Sequence, residues 1–200
     1  MKSLSAIFIL LIFASCSSFK AERVDSEESD KKALQITDQW VQGDTEKVMK
    51  KLVDNIRRKK EELSYFQKNK KPKIFIGEIQ NYTPEAYFPI KDLNDELLSE
   101  FSAGEDFVLV DAGSREKILK EITYQNDGMV DPAQAKKIGL QAGADLMIFG
   151  NVYSQEVSRK GETIKQYSVT IVLTDIESGV EIIRVRNKLS KFSKQSSTGW

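Results

Sequence analysis

The chain of 200 residues contains no histidine and a single cysteine, and these two absences remove much of the chemistry open to a protein of this size. Without imidazole there is no His-based triad, no imidazole metal ligand and no side chain whose ordinary pKa lies near neutrality. With one thiol, neither an intramolecular disulfide nor a thiolate zinc cluster can form. A net charge of one sign is also missing: 30 Lys and Arg balance 30 Asp and Glu. No long-range pull on nucleic acid follows, and no nucleic-acid partner is expected. The longest apolar run, Leu4 to Ala14, has 11 residues, whereas a helix needs about 20 to cross a bilayer. What remains is an ordinary globular composition, 40% hydrophobic and 30% charged, long enough for one domain with a real core.

At the amino terminus, Met1 and Lys2 precede Leu4–Ala14, a segment that fits the apolar part of a secretory signal. Phe13-Ala14-Ser15-Cys16 then reads as a lipobox, the bacterial signal for cleavage before a cysteine and attachment of lipid to it. Phe13 stands where leucine is usual, but the only cysteine falls where this signal requires one. Residues 1–15 are therefore expected to be removed and Cys16 to be lipidated. Residues 16–36, polar and without apolar pattern, are expected to form a flexible tether. A single globular domain is expected at 37–192 and a frayed tail at 193–200.

Within the domain, Asp44 or Thr45 can cap a helix running to about Gln67, with Val48, Leu52, Ile56, Leu63 and Phe66 on one stripe. Between Glu46 and Lys73 stand 11 Lys or Arg against four acids. That is a solvated face first, and a surface for anionic lipid or an acidic partner second. Lys73–Gln80 reads as a buried strand, Ile90, Leu93, Leu97 and Phe101 as a helical stripe stopped by Gly104, and Asp106–Val110 as a second strand. Gly113-Ser114 opens a further helix through Ile118, Ile122 and Gln125. Asp131-Pro132 starts another that ends near Ala142. Strand 145–157, a strand alternating around Tyr167, Val169, Ile171 and Leu173, and a strand from Val180 to about Leu189 follow as an antiparallel meander. The expected architecture is α/β (α+β): a mixed sheet of about five strands flanked by helices.

Glycines 139, 143 and 150 invite a phosphate-loop reading, but they fall on the helix and strand rather than between a strand and its following helix. Close helix–sheet packing explains them better. Carboxylates at Asp106, Asp111, Glu116, Asp131 and Asp145 invite a glycosidase reading. Several stand at strand ends or helix starts, where capping and turn roles account for them. No nucleophile with a positioned base, no metal ligand set and no cofactor motif emerges, so catalytic, cofactor and metal sites are all expected to be absent.

One set of residues forms a pattern: Asp38-Gln39-Trp40 with Asp44; Lys71-Pro72-Lys73; Asn81 with Thr83; Val110-Asp111, Arg115, Glu121 and Gln125. It continues with Asp131-Pro132 to Gly139, Gly143-Ala144-Asp145, Gly150, Tyr167, Leu173-Thr174-Asp175, Lys188 and Lys191. Over residues 36–192 this pattern resembles the LpoB-type lipoprotein activators of penicillin-binding proteins. One departure is that the tryptophan common in the family's last strand is absent, and Ile183-Arg184 stand there.

The resemblance implies a fold similar to the amino-terminal domain of the Tol-system propeller protein. It also implies a periplasmic regulator, not an enzyme, that docks on a bifunctional class A penicillin-binding protein and stimulates peptidoglycan synthesis. Family-pattern positions for that role are Asp38, Trp40, Asp44, Asn81, Thr83, Arg115, Gln125, Asp145 and Tyr167. The protein would be a monomer held to a membrane by lipid on Cys16. The outer membrane is the default, because Ser17 and not Asp follows the cysteine, and the inner membrane stays open. The alternative is a lipoprotein of a curli- or flagellum-type secretion or assembly system, whose domains have the same strand and helix order.

Overall fold

The computed structural model describes residues 21–68, 71–110 and 143–195. The first element corrects an expectation, because Ser26–Ile36 (α1) is a helix where a flexible tether is read from the sequence. Local polar chemistry makes it. Asp25 caps it by accepting from Glu28 N at 2.8 Å, Glu27 and Glu28 stand at the positive end of the helix dipole, and Lys32 bridges Glu28 one turn back. A tertiary contact then holds it in place. Asp30 packs where only the bare Cα of Gly43 leaves room, and it pairs with Lys47 at 2.5 Å.

Gln42–Glu62 (α2) starts ahead of the expected cap. Val41, at the cap position, has no side-chain acceptor, so Asp44 reaches back one turn and accepts from Val41 N at 2.9 Å. Val48, Met49, Leu52, Val53 and Ile56 form its buried stripe. The helix breaks at Leu63, and Tyr65–Lys68 (α3) follows as a separate turn, where one continuous helix to Gln67 is expected. The break puts the Phe66 ring edge-on to Phe107 with centroids 6.5 Å apart and brings the Tyr65 hydroxyl to Asp175. Both partners are distant in sequence.

Lys73–Asn81 (β1), Ile90–Ser102 (α4) and Val108–Leu109 (β2) follow. β2 is shorter than the expected Asp106–Val110, since it meets only Lys73 and Ile74 of β1, while Asp106 is held by Arg57 at 3.2 Å. Leu146–Arg159 (β3), Glu162–Asp175 (β4) and Glu181–Lys194 (β5) complete the sheet. Its order is β2-β1-β3-β4-β5, parallel at β2-β1-β3 and antiparallel at β3-β4-β5. The expected mixed five-stranded α+β sheet with its terminal meander is therefore observed.

β5 runs to Lys194, past the expected strand end at Leu189 and into the expected frayed tail. Glu162 at the start of β4 still pairs with Lys194, and the inward side chains at 191 and 193 find partners described below. The helices expected from Gly113 and from Asp131, together with Cys16, Arg115, Gln125 and Trp200, lie outside the described residues.

The main core lies between α2 and α4 and one face of the sheet. Leu93, Leu97 and Phe101 of α4 share this core with the α2 stripe and with Ile74 and Ile76 of β1, Ile148 and Val152 of β3, Val169, Ile171 and Leu173 of β4, and Ile183 and Val185 of β5. A smaller cluster of Phe75, Ala144, Met147 and Ile176 lies apart from it. Gly150 is a packing glycine within β3: an added Cβ would stand 2.7 Å from Ile171 Cδ1 and 2.9 Å from Ile79 Cγ1. The close packing is therefore against the neighbouring strands β1 and β4, where packing of a helix on the sheet is expected from the sequence.

Candidate functional site

Four of the family-pattern positions converge at the start of α2. The chain enters the domain through Asp38, whose carboxylate accepts from Ser193 Oγ at 2.5 Å and pairs with Lys165 Nζ at 2.9 Å. Ser193 and then Lys165 hold the Asp38 carboxyl below the usual aspartate range, and the same contact raises Lys165. Two residues on, the Trp40 indole donates to Thr45 Oγ1 at 2.8 Å, and its ring meets Tyr167 at 5.1 Å and Phe88 at 5.3 Å. Stacking three rings at edge-to-face and tilted angles adds geometry to simple burial.

Asp44 does two things at once. Besides closing the first turn of α2, it pairs with Lys191 Nζ at 2.5 Å, with side chains only 11% and 4% exposed. Lys191 also donates to the Gln39 carbonyl. Dehydrating both charges offsets much of their mutual attraction, so such a pair contributes registry more than net stability. Here it seats the end of β5 on the start of α2.

Asn81 and Thr83 act one step away. Asn81 Oδ1 accepts from Thr83 N at 2.9 Å and Thr83 Oγ1 accepts from Glu85 N at 3.3 Å, two successive side-chain turns that shape the exit from β1. That loop delivers Phe88 to Trp40 and brings Glu85 Oε1 to the Tyr167 hydroxyl, which donates at 2.6 Å. Burial first, and the Glu85 carboxylate second, push the Tyr167 phenol up, so it stays protonated at neutral pH. Asp145 is elsewhere: at the start of β3 it accepts from Lys73 N at 2.7 Å and pins β1 to β3.

Chemically, this constellation is a clasp. Its hydroxyls and carboxylates are spent on one another and on backbone groups, and none pairs a nucleophile with a free base. Among the described residues no group of acidic or cysteine side chains could hold a metal ion. Of the carboxylates weighed for a glycosidase, Asp106 is engaged by Arg57 and Lys60, and Asp145 by Lys73 N; Asp111, Glu116 and Asp131 lie outside the described residues.

Sequence reasoning missed Lys165, Ser193 and Glu85 as members of the clasp. For the first two a signal existed, since Lys165 and Tyr167, like Leu189, Lys191 and Ser193, alternate on the inward face. A lysine at an inward strand position asks for a buried partner. For Glu85 there was none, because only the loop path brings it to β4.

The basic face of α2 is mostly exposed, and the fold uses part of it. Arg57 donates to the Glu100 carbonyl at 2.7 Å, Lys59 to the Arg184 carbonyl at 2.9 Å, and Lys60 lies 5.3 Å from the centre of the Phe107 ring. Lys50 and Lys51 remain exposed.

Comparison with known proteins supplies the identity that this geometry lacks. No curated protein matches the sequence. Among solved structures, the chain is similar to the LpoB C-terminal domain from Salmonella enterica, at 13% identity and a TM-score of 0.52, covering 73% of this chain and 98% of that domain. It is similar in the same way to the LpoB C-terminal domain from Escherichia coli, at 12% identity and a TM-score of 0.50, again covering 73% and 98%. At such identities these likenesses show the fold. The family model described as peptidoglycan-synthase activator LpoB matches residues 44–183. That range runs from Asp44 of the clasp to Ile183 of β5, and the chain belongs to the LpoB family of peptidoglycan-synthase activators.

Proposed function

We propose that this protein is a periplasmic lipoprotein, anchored through lipid on Cys16, that binds and stimulates a bifunctional class A penicillin-binding protein. What carries the reading is the family match across residues 44–183. The site supports it by its chemistry. Residues read from the sequence as part of the family pattern build a clasp that orders the domain and leaves no reacting group, as suits a protein that acts by binding another. No described helix is long and apolar enough to cross a membrane; attachment in this reading is through the lipid on Cys16. The outer membrane is the default location in this reading, with the inner membrane as the alternative, and the state is a monomer.

The test uses the full lipidated chain in detergent with each purified class A penicillin-binding protein of the source organism, following glycan polymerisation and peptide cross-linking. The chain alone turns over neither substrate, and it raises the rate of one synthase. Failure to stimulate any of them overturns the activator reading in favour of a secretion or assembly role.

A further inference from the structure

The helices cover one face of the sheet, and the outer half of the opposite face carries a surface that the fold does not use. The residues of β3, β4 and β5 that point away from the core alternate strictly with it along the pairing register. At the hairpin end, Val157, Ile164 and Phe192 stand side by side, 68%, 44% and 62% exposed. Further in, Tyr82 from the exit of β1 stacks on Tyr153 with ring centroids 5.1 Å apart and planes 15° from parallel, and half of each residue is exposed. Two cations stand on β5, one strand beyond β4. Arg186 bonds Thr170 Oγ1 at 3.1 Å, and neither it nor Lys188 has an ion pair among the described residues.

The rows between Arg186 and Phe192 contain no carboxylate on this face. A patch that joins exposed aromatic and aliphatic side chains to arginine while excluding Asp and Glu has the composition of the centre of a protein interface. Its backbone is also preorganised, because three long hydrogen-bonded strands fix where each side chain leaves the sheet, so only side-chain ordering opposes binding. Arg186 and Lys188 border a depression whose other walls include Tyr153, Gln155 and Gln166. A carboxylate projecting from a protein can enter that depression and meet both cations and the amide donors. A planar bilayer surface cannot follow it inward.

We propose that this face, from the Tyr82–Tyr153 pair to Phe192, is the docking surface for an acidic patch on the protein partner, with Arg186 and Lys188 as its charge anchors. The proposal rests on the reading that the partner is a class A penicillin-binding protein. Opposite charge across such a surface raises the association rate and makes affinity fall with salt.

The test measures binding of the full chain in detergent to the synthase it stimulates, across a series of salt concentrations. The double variant R186E/K188E should bind at least about tenfold more weakly, with a flattened salt dependence, since it sets like charge against like. Its unfolding midpoint should match the wild type, because both side chains are exposed. The variant K50E/K51E, on the exposed side of α2, should bind within about twofold of wild type. The surface is overturned if R186E/K188E binds as wild type does, or if it loses binding only to vesicles of anionic lipid. A wild-type chain that binds no synthase overturns the partner reading itself and this proposal with it, an outcome distinct from the first.

Discussion

Replacing Lys191 with methionine tests the clasp most directly. The substitution keeps the buried stem and removes the ammonium, leaving the Asp44 carboxylate, 11% exposed, still hydrogen-bonded to Val41 N but without its cation. Breaking a buried pair by removing one partner costs about 3–5 kcal/mol, because the other charge stays buried without compensation. For a protein of this size, ~3 kcal/mol corresponds to a fall of about 6–12 °C in unfolding midpoint. Asp44→Asn should cost a similar amount, since it strands Lys191 while the amide oxygen can still accept from Val41 N. The double variant Asp44→Asn/Lys191→Met should cost less than either single change, because it buries no charge. Equilibrium denaturation of the four proteins, followed by circular dichroism, gives the coupling directly. If the singles lie within about 0.5 kcal/mol of wild type, as ordinary surface substitutions do, or if the double variant costs the sum of the two, the clasp does not hold the strand end as argued.

Asp38→Asn should remove an acid-sensitive part of stability. The folded Asp38 carboxyl lies below the usual range, so its contribution is present above the unfolded value of about 3.9 and is lost as pH falls through the lower folded value. Acid titration of the unfolding midpoint should show the wild type losing this increment below about pH 4 and the variant lacking it; equal acid limbs refute the assignment. Gly150→Ala should destabilise by about 1–3 kcal/mol through overpacking against Ile171 and Ile79, and thermal unfolding at wild-type stability would contradict the close-packing role. Cys16→Ala should leave unfolding unchanged but move the protein out of the membrane fraction, with no incorporation of labelled fatty acid; label retained in the variant refutes lipidation there. With α1 occupying Ser26–Ile36, the leash from Ser17 to Asp25 reaches at most about 32 Å at 3.3–3.6 Å per residue. Deleting half of that leash should impair wall synthesis in cells, and unimpaired synthesis would show that proximity to the membrane is not limiting.

The sequence by itself determined the elements whose signal is periodic and local. The stripe Val48, Leu52 and Ile56, the stripe Leu93, Leu97 and Phe101, and the alternation of Tyr167 through Leu173 each state a face and a period, and a face with a period is a helix or strand with a defined inside. It also showed Asp38, Trp40, Asp44 and Tyr167 as members of one pattern without saying that they meet. The tertiary structure decided what depends on partners far along the chain. Helix α1 exists as a packed element because Gly43 leaves room for Asp30, α2 breaks because Phe66 and Tyr65 have distant partners, and β5 continues past Leu189 because Asp44, Gln39 and Asp38 receive Lys191 and Ser193. Local periodicity cannot register such contacts. A polar residue looks solvated in a sequence until the fold brings a charge or a carbonyl to it, and that meeting is what turned an expected frayed tail into part of the clasp.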